Sequence, residues 1–225
     1  VVGQTSTLTA DFLQNSTAAA VAVGNLDAMI GTPIAFNAAL LGTLSSAQTS
    51  IQSTGTATAT FTGTSPGAGS ASSTVDAQSV AAAITISKAS TTTTITSDLP
   101  DPSDINAAVV VSYSVAVNAP GAGTATGNVV VTVSGGAETC TGTVAAGNCS
   151  ITLTTSGART LTATYAGDLN FNGSSATASH TVNALPTLSI NDVALAEGNS
   201  GTQTLTFTVT RTGATASATT FNFAT

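Results

Sequence analysis

Few side chains in this sequence can do chemistry, and their spacing limits what that chemistry would be. His180 is the single histidine, so any Ser-His-Asp or Cys-His relay has to be built around it. It lies in Ala178-Ser-His-Thr-Val182, where a plain strand position is the simpler account. The acids form no close pair on one predicted strand face, which two-carboxylate catalysis requires. No catalytic residue is therefore assigned, and the chain is not expected to be an enzyme.

Cys140 and Cys149 flank a short segment, Thr141 to Asn148, that reads as a hairpin. Cysteines facing each other across antiparallel strands lie close enough to bridge, so a disulfide is expected rather than two free thiols. Zinc is not expected at these cysteines, because two of them and a distant His180 lack Cys-x2-Cys spacing.

Calcium has several weak footholds. Asp168-Leu-Asn-Phe-Asn-Gly173 reads as the first half of an oxygen-rich loop, with Asp168, Asn170 and Asn172 as candidate ligands. Ser179 stands where a bidentate Glu would close that loop. A tight turn whose carboxylate and amides bond their own backbone is the alternative. Asp98, Asp101 and Asp104 cluster in a Pro-broken stretch and read as domain-end ligands or as solvated turn residues. Lys88, at a junction rather than inside an apolar strand, reads as a solvated linker lysine and not as half of a Lys-Asn cross-link. Gly121-Ala-Gly-Thr-Ala-Thr-Gly127 has the look of a phosphate loop, but no helix follows it, so a hairpin loop is expected. Sequons at Asn15, Asn148 and Asn172 are ordinary in a chain this rich in Ser and Thr.

The elements that must position these residues are strands. Charged residues are only 6% of the 225 residues, the net charge is −7, and Thr alone makes up about a fifth of the chain. Helix-favouring Glu, Lys, Arg and Met are scarce, whereas Thr and Val alternate with apolar residues at period two. In Thr56-Ala-Thr-Ala-Thr-Phe61 the hydroxyls take one face and Ala57, Ala59 and Phe61 the other. Thr160-Leu-Thr-Ala-Thr-Tyr165 repeats the pattern with Leu161, Ala163 and Tyr165 inward, and Thr202 to Val209 shows it again. Further strands are predicted over 5–12, 33–38, 79–87, 91–97, 109–117, 128–134 and 149–154. Turn clusters at Ser65-Pro-Gly-Ala-Gly69, Ala119-Pro-Gly-Ala-Gly123 and Gly135-Gly136 separate them, at sandwich spacing.

An internal repeat divides the chain. Thr58-Ala-Thr-Phe-Thr-Gly63 matches Thr162-Ala-Thr-Tyr-Ala-Gly167, each followed by a loop and one expected strand ending in Ile84-Thr-Ile86 or His180-Thr-Val182. The division predicts three units, 1–89, 90–184 and 185–225. The start at Val1 without Met and the stop at Thr225 inside a β-like run predict a piece of a longer polypeptide.

The run Thr91-Thr-Thr-Thr-Ile-Thr-Ser-Asp-Leu-Pro-Asp-Pro-Ser103, then Thr139-Cys-Thr141, Asn148-Cys-Ser150 and Leu161-Thr-Ala-Thr-Tyr-Ala-Gly-Asp168, resembles bacterial Ig-like repeat domains of large surface proteins. Residues 1–89 are similar to a more diverged member lacking its first strand. Leu188-Ser-Ile-Asn-Asp-Val-Ala-Leu-Ala-Glu-Gly-Asn-Ser-Gly201, followed by Phe207-Thr-Val209, resembles the first strands of a Calx-beta domain. That resemblance implies Glu197 as a further calcium ligand, with its partner acids outside this sequence.

The expected fold is all-β, tandem Ig-like sandwiches in a row with an incomplete third sandwich. Three Lys and Arg cannot neutralise a row of phosphates, which excludes nucleic acid as a partner. No apolar run approaches the roughly 20 residues that span a bilayer, so membrane insertion is not expected. The expected role is a non-enzymatic structural or adhesive stalk of a secreted or bacterial cell-surface repeat protein. A filament or sheath subunit assembled by lateral packing or strand donation is the alternative. No cofactor is implied beyond the weak calcium candidates. With no Trp and two Tyr, a carbohydrate-stacking module ranks last. Weakly charged Thr-rich faces predict self-association that strengthens with salt and as pH falls toward the pI of about 4.1.

Overall fold

The computed structural model describes residues 1–14, 19–196, 198–202, 204–213, 218 and 220–222. Six strands come first: β1 (Thr5–Asp11), β2 (Ala35–Leu40), β3 (Gly42–Ser45), β4 (Thr56–Gly63), β5 (Gly67–Val75) and β6 (Gln78–Ile86). They form two antiparallel sheets, ordered β1-β4-β3 and β2-β5-β6. The period-two reading of β4 holds residue by residue. Ala57, Ala59 and Phe61 are buried while its threonines are half-exposed. Leu41, at φ 56°, is the corner at which the chain leaves the β2 sheet for the β3 sheet.

This region departs from the expected repeat. Two strands follow β4 rather than one, and they form a hairpin in the opposite sheet. Asp76 and Ala77 make its tight turn with φ 47° and 59°, the doubly positive geometry that matches strand twist in two-residue hairpins. The Ser65–Gly69 turn cluster accordingly ends early, since Gly67 already opens β5. Gly69 is there for contact. A Cβ on it would lie 2.6 Å from the Leu40 carbonyl oxygen of the neighbouring strand.

The central residues build the larger sandwich. Its strands are β7 (Thr91–Leu99), β8 (Ser103–Asp104), β9 (Ala108–Val117), β10 (Asn128–Val133), β11 (Thr139–Thr143), β12 (Asn148–Thr152), β13 (Gly157–Gly167) and β14 (Asn172–Asn183). One sheet is ordered β12-β9-β7 and the other β11-β10-β13-β14-β8, with β8 parallel to β14 and every other pair antiparallel. Inward residues of both sheets, among them Val109, Val111, Val129, Val131, Leu161, Ala163 and Tyr165, interdigitate in one continuous buried cluster. Gly142 admits the ring of Tyr113 beneath β11, since a Cβ on it would stand 2.4 Å from the Tyr113 hydroxyl.

Beyond Asn183 there is a two-stranded antiparallel pair, β15 (Thr187–Ile190) with β16 (Val209–Thr212). The strand expected over 202–209 is displaced: 204–208 are irregular and the pairing begins at Val209. Leu205 and Phe207, the inward residues of the expected alternation, are 48% and 55% exposed, so no apposed layer rewards extending the strand.

Candidate functional site

Between β7 and β8 the chain crosses from one sheet of the central sandwich to the other, through Leu99-Pro100 and Asp101-Pro102, both cis. That crossing wraps three polar side chains around β14. Asp98 is the penultimate residue of β7, Asp101 sits in the crossing, and Ser103 opens β8. His180 meets all three from β14. Its Nε2 is 2.9 Å from Ser103 Oγ, and its Nδ1 is 2.9 Å from Asp98 Oδ2 and 3.6 Å from Asp101 Oδ1. The Thr181 amide donates to Asp101 Oδ1 at 3.0 Å and holds that carboxylate in place.

Ser103, His180 and Asp98 thus stand in the order and at the distances of a nucleophile relay. The chemistry of a nucleophile is denied by burial, because Ser103 has no exposed surface and His180 is 1% exposed. A substrate carbonyl has no approach to the Ser103 hydroxyl. What the cluster does in the fold is satisfy a buried imidazole at both nitrogens while fastening β7, the crossing and β8 onto β14. The strand position expected for His180 is correct, but sequence spacing gave no hint of its partners, which lie 77 to 82 residues away. The one available signal was the Asp-Leu-Pro-Asp-Pro-Ser stretch, whose prolines force a strand break beside two acids.

The acidic candidates separate. Asp104 turns to the side, its Oδ1 accepting from Asn183 Nδ2 at 3.1 Å, and leaves the cluster to Asp98 and Asp101. Asp168 is fully engaged by its own loop and by Thr126 before β10. Its Oδ2 accepts from the Thr126 amide and hydroxyl at 2.9 and 2.8 Å, and its Oδ1 from the Asn170 and Phe171 amides at 2.8 and 2.9 Å. Desolvation works to raise its pKa, but these four hydrogen bonds together outweigh it and hold the carboxyl at about 2. Asn172 serves through its main chain, the amide donating to the Ala89 carbonyl and the carbonyl accepting from the Thr91 hydroxyl. This geometry is that of the tight turn weighed against the calcium loop. Glu197 and the Asn15 sequon lie outside the described residues.

Cys140 and Cys149 are bonded, with Cα atoms 5.8 Å apart. The expected hairpin ladder does not form. Cys140 is on β11 and Cys149 on β12, which belong to different sheets, so the bond clamps one sheet to the other at the sandwich edge.

The junction before β7 is bonded to the central sandwich at Ala89 and to the N-terminal segment at Ser87. Ala89 is fully buried; its amide donates to the Asn170 carbonyl at 3.0 Å and its carbonyl accepts from the Asn172 amide at 2.8 Å. Val2 donates to the Ser87 carbonyl and accepts from the Ala122 amide. Lys88 Nζ donates to the Asp168 carbonyl, which ties the lysine read as freely solvated to the central sandwich. A cleft of about 450 Å3 lies here, lined by Val2, Gly63, Ala122 and Phe171 among others and by no titratable side chain.

Among the described residues no helix is long and apolar enough to cross a membrane. No curated protein is significantly similar to the chain. Among solved structures, the chain is similar to the Yersinia pseudotuberculosis adhesin InvE at 21% identity and TM-score 0.39, covering 81% of this chain and 55% of that one. It is also similar to the fibronectin(III)-like modules of Clostridium thermocellum CbhA at 14% identity and TM-score 0.36, covering 81% and 87%. Domains 4–9 of the surface layer protein SbsC match at 16% identity and TM-score 0.28, covering 86% and 31%. The present chain therefore spans about half the length of the InvE adhesin structure. Residues 95–183, which carry the five-on-three sandwich and its buried histidine, match the family described as Bacterial Ig-like domain (group 3).

Proposed function

We propose that this chain is a non-enzymatic spacer segment of a bacterial cell-surface or secreted repeat protein, built of units at 1–89, 90–184 and 185–225. The observation that carries the reading is the Ala89 junction. Only residues 87–90 separate β6 from β7; within them Ala89 is buried and hydrogen-bonded through its amide and carbonyl to the 170–172 turn of the Ig-like sandwich, while Val2 of the N-terminal segment bonds both the Ser87 carbonyl and the Ala122 amide. Repeat domains joined in this way keep their spacing and orientation, which is what holding a binding element away from a surface demands.

A second reading, a subunit of a filament or sheath, is favoured by β6. It is an edge strand of its sheet, nine residues long, and Val80 on it is 73% exposed. Beside it a cleft of about 220 Å3 is lined by Leu8, Phe36, Ala71 and Ala82. Such an edge invites strand addition. Sedimentation velocity over a range of concentrations separates the two. The spacer gives monomer with weak, reversible association that grows with salt; open-ended polymers carrying one chain per repeat would replace it with the filament.

A further inference from the structure

We propose that His180 Nδ1, Asp98 and Asp101 form a binding site for one divalent transition-metal ion of the zinc type, independent of the spacer role. Three ligand atoms from β14, β7 and the crossing between them lie within 4.8 Å of one another. The Nδ1 atom is 2.9 Å from one carboxylate oxygen and 3.6 Å from the other. Ligands about 2.0–2.2 Å from a tetrahedral ion stand roughly 3.3–3.5 Å apart. Nδ1 therefore stands within a few tenths of an ångström of the required separation from each carboxylate oxygen, and the two carboxylates close on the ion by side-chain rotation.

The surroundings prepare the imidazole as a ligand. Histidines that bind metal have their other ring nitrogen hydrogen-bonded, which fixes tautomer and ring orientation. Here Ser103 Oγ, fully buried, occupies that place at 2.9 Å from Nε2. Without metal, Nδ1–H donates to Asp98; an ion replaces that proton, and Nε2–H then donates to Ser103 while the Nδ1 lone pair points to the ion between Asp98 and Asp101. The Thr181 amide meanwhile orients Asp101. A neutral imidazole with two carboxylates neutralises a dication. The Asp98 and Asp101 side chains are 16% and 36% exposed, leaving a path for the ion and a position for water. An imidazole donor selects zinc, copper or nickel, whereas calcium takes six to eight oxygens.

The test is calorimetric titration of the chelator-treated, untagged 225-residue chain with Zn2+, alongside visible absorption with Co2+ as a spectroscopic substitute. One equivalent should bind, Co2+ should give the absorption of a low-symmetry nitrogen and oxygen site, and Zn2+ should raise the melting temperature. Asp101→Asn, a partly exposed change, should keep the metal-free melting temperature and weaken Zn2+ binding about tenfold or more. Asp98→Asn should also weaken Zn2+ binding but lower the metal-free melting temperature, because Asp98 bonds the buried imidazole; circular dichroism of each variant checks its fold. Absence of saturable one-equivalent binding by the unaltered chain overturns the proposal. So does Asp101→Asn binding as tightly as the unaltered chain, or selective binding of Ca2+ over Zn2+.

Discussion

β4 and β13 carry nearly the same residues and bury the same face, yet they live among different neighbours. β13 is the middle of a five-stranded sheet, flanked by β10 and by β14, the strand that follows it in sequence. β4 is the middle of a three-stranded sheet between β1 and β3, and the strands that follow it cross to the opposing layer. Alternation of Thr with Ala and an aromatic dictates which face of a strand is buried; it is silent about the partner, which the loops and the rest of the core decide. The consequence is energetic. Among the described residues Tyr165 sits in a continuous cluster of sixteen buried residues, whereas Phe61 is buried with Val2, Ala71 and Ile86 and is otherwise packed by partly buried residues such as Leu8, Leu41 and Leu44.

Truncating the two aromatics tests this contrast most strongly. Tyr165→Ala and Phe61→Ala should each cost about 3–5 kcal/mol, read by denaturant unfolding with probes in both regions. Tyr165→Ala should sit at the upper end, because the packed cluster around it has less room to collapse. If Phe61→Ala leaves unfolding of the N-terminal strands unchanged, the shared inward face is wrong.

The disulfide sharpens the same comparison, being present in one region alone. Reduction should cost the central sandwich about 2–3 kcal/mol through freedom returned to the unfolded chain, and leave the N-terminal strands unaffected. Thiol quantification should find no free cysteine before reductant is added. Gly142→Ala should cost about 1–3 kcal/mol in the central sandwich, since its Cβ would meet the Asn148 carbonyl oxygen at 2.2 Å, a backbone atom that cannot swing aside.

The smallest expected effect depends on pH. The folded-state pKa of Asp168, about 2, lies below its ordinary value of 3.8. Its contribution is therefore complete above pH 4 and is lost as pH falls through 2. Melting temperatures of the parent chain and Asp168→Asn should converge over that window and differ above it. Curves that stay parallel would mean the loop hydrogen bonds do not favour the ionised carboxylate.

What could be read without the structure follows the same division. The inward faces of β4 and β13, the cysteine bond and the strand position of His180 came from local signals: alternation, spacing and, for His180, the strand-like Ala178-Ser-His-Thr-Val182 context. β5 was hidden because Gly67-Ala-Gly-Ser-Ala-Ser-Ser offers small residues on both faces and no alternation. The sheet membership of Cys140 and Cys149 was hidden because two strands joined by a tight loop look alike in sequence whether they pair or face each other. The Asp98–His180–Ser103 cluster was out of reach for a third reason. Its geometry is made by a chain crossing and a parallel β8–β14 pairing, both long-range consequences of closing the sandwich.

The central claim is that the short 87–90 junction, with Val2 hydrogen-bonded to both Ser87 and Ala122, fixes the Ig-like sandwich to the strands before it. Residual dipolar couplings of backbone amides in β4 and β13, measured on the whole chain in one aligned medium, address it directly. The account predicts that one alignment tensor fits both strands as well as two separate tensors do. Tensors that differ in magnitude between β4 and β13 would show the two regions reorienting independently, and the spacer reading would fail.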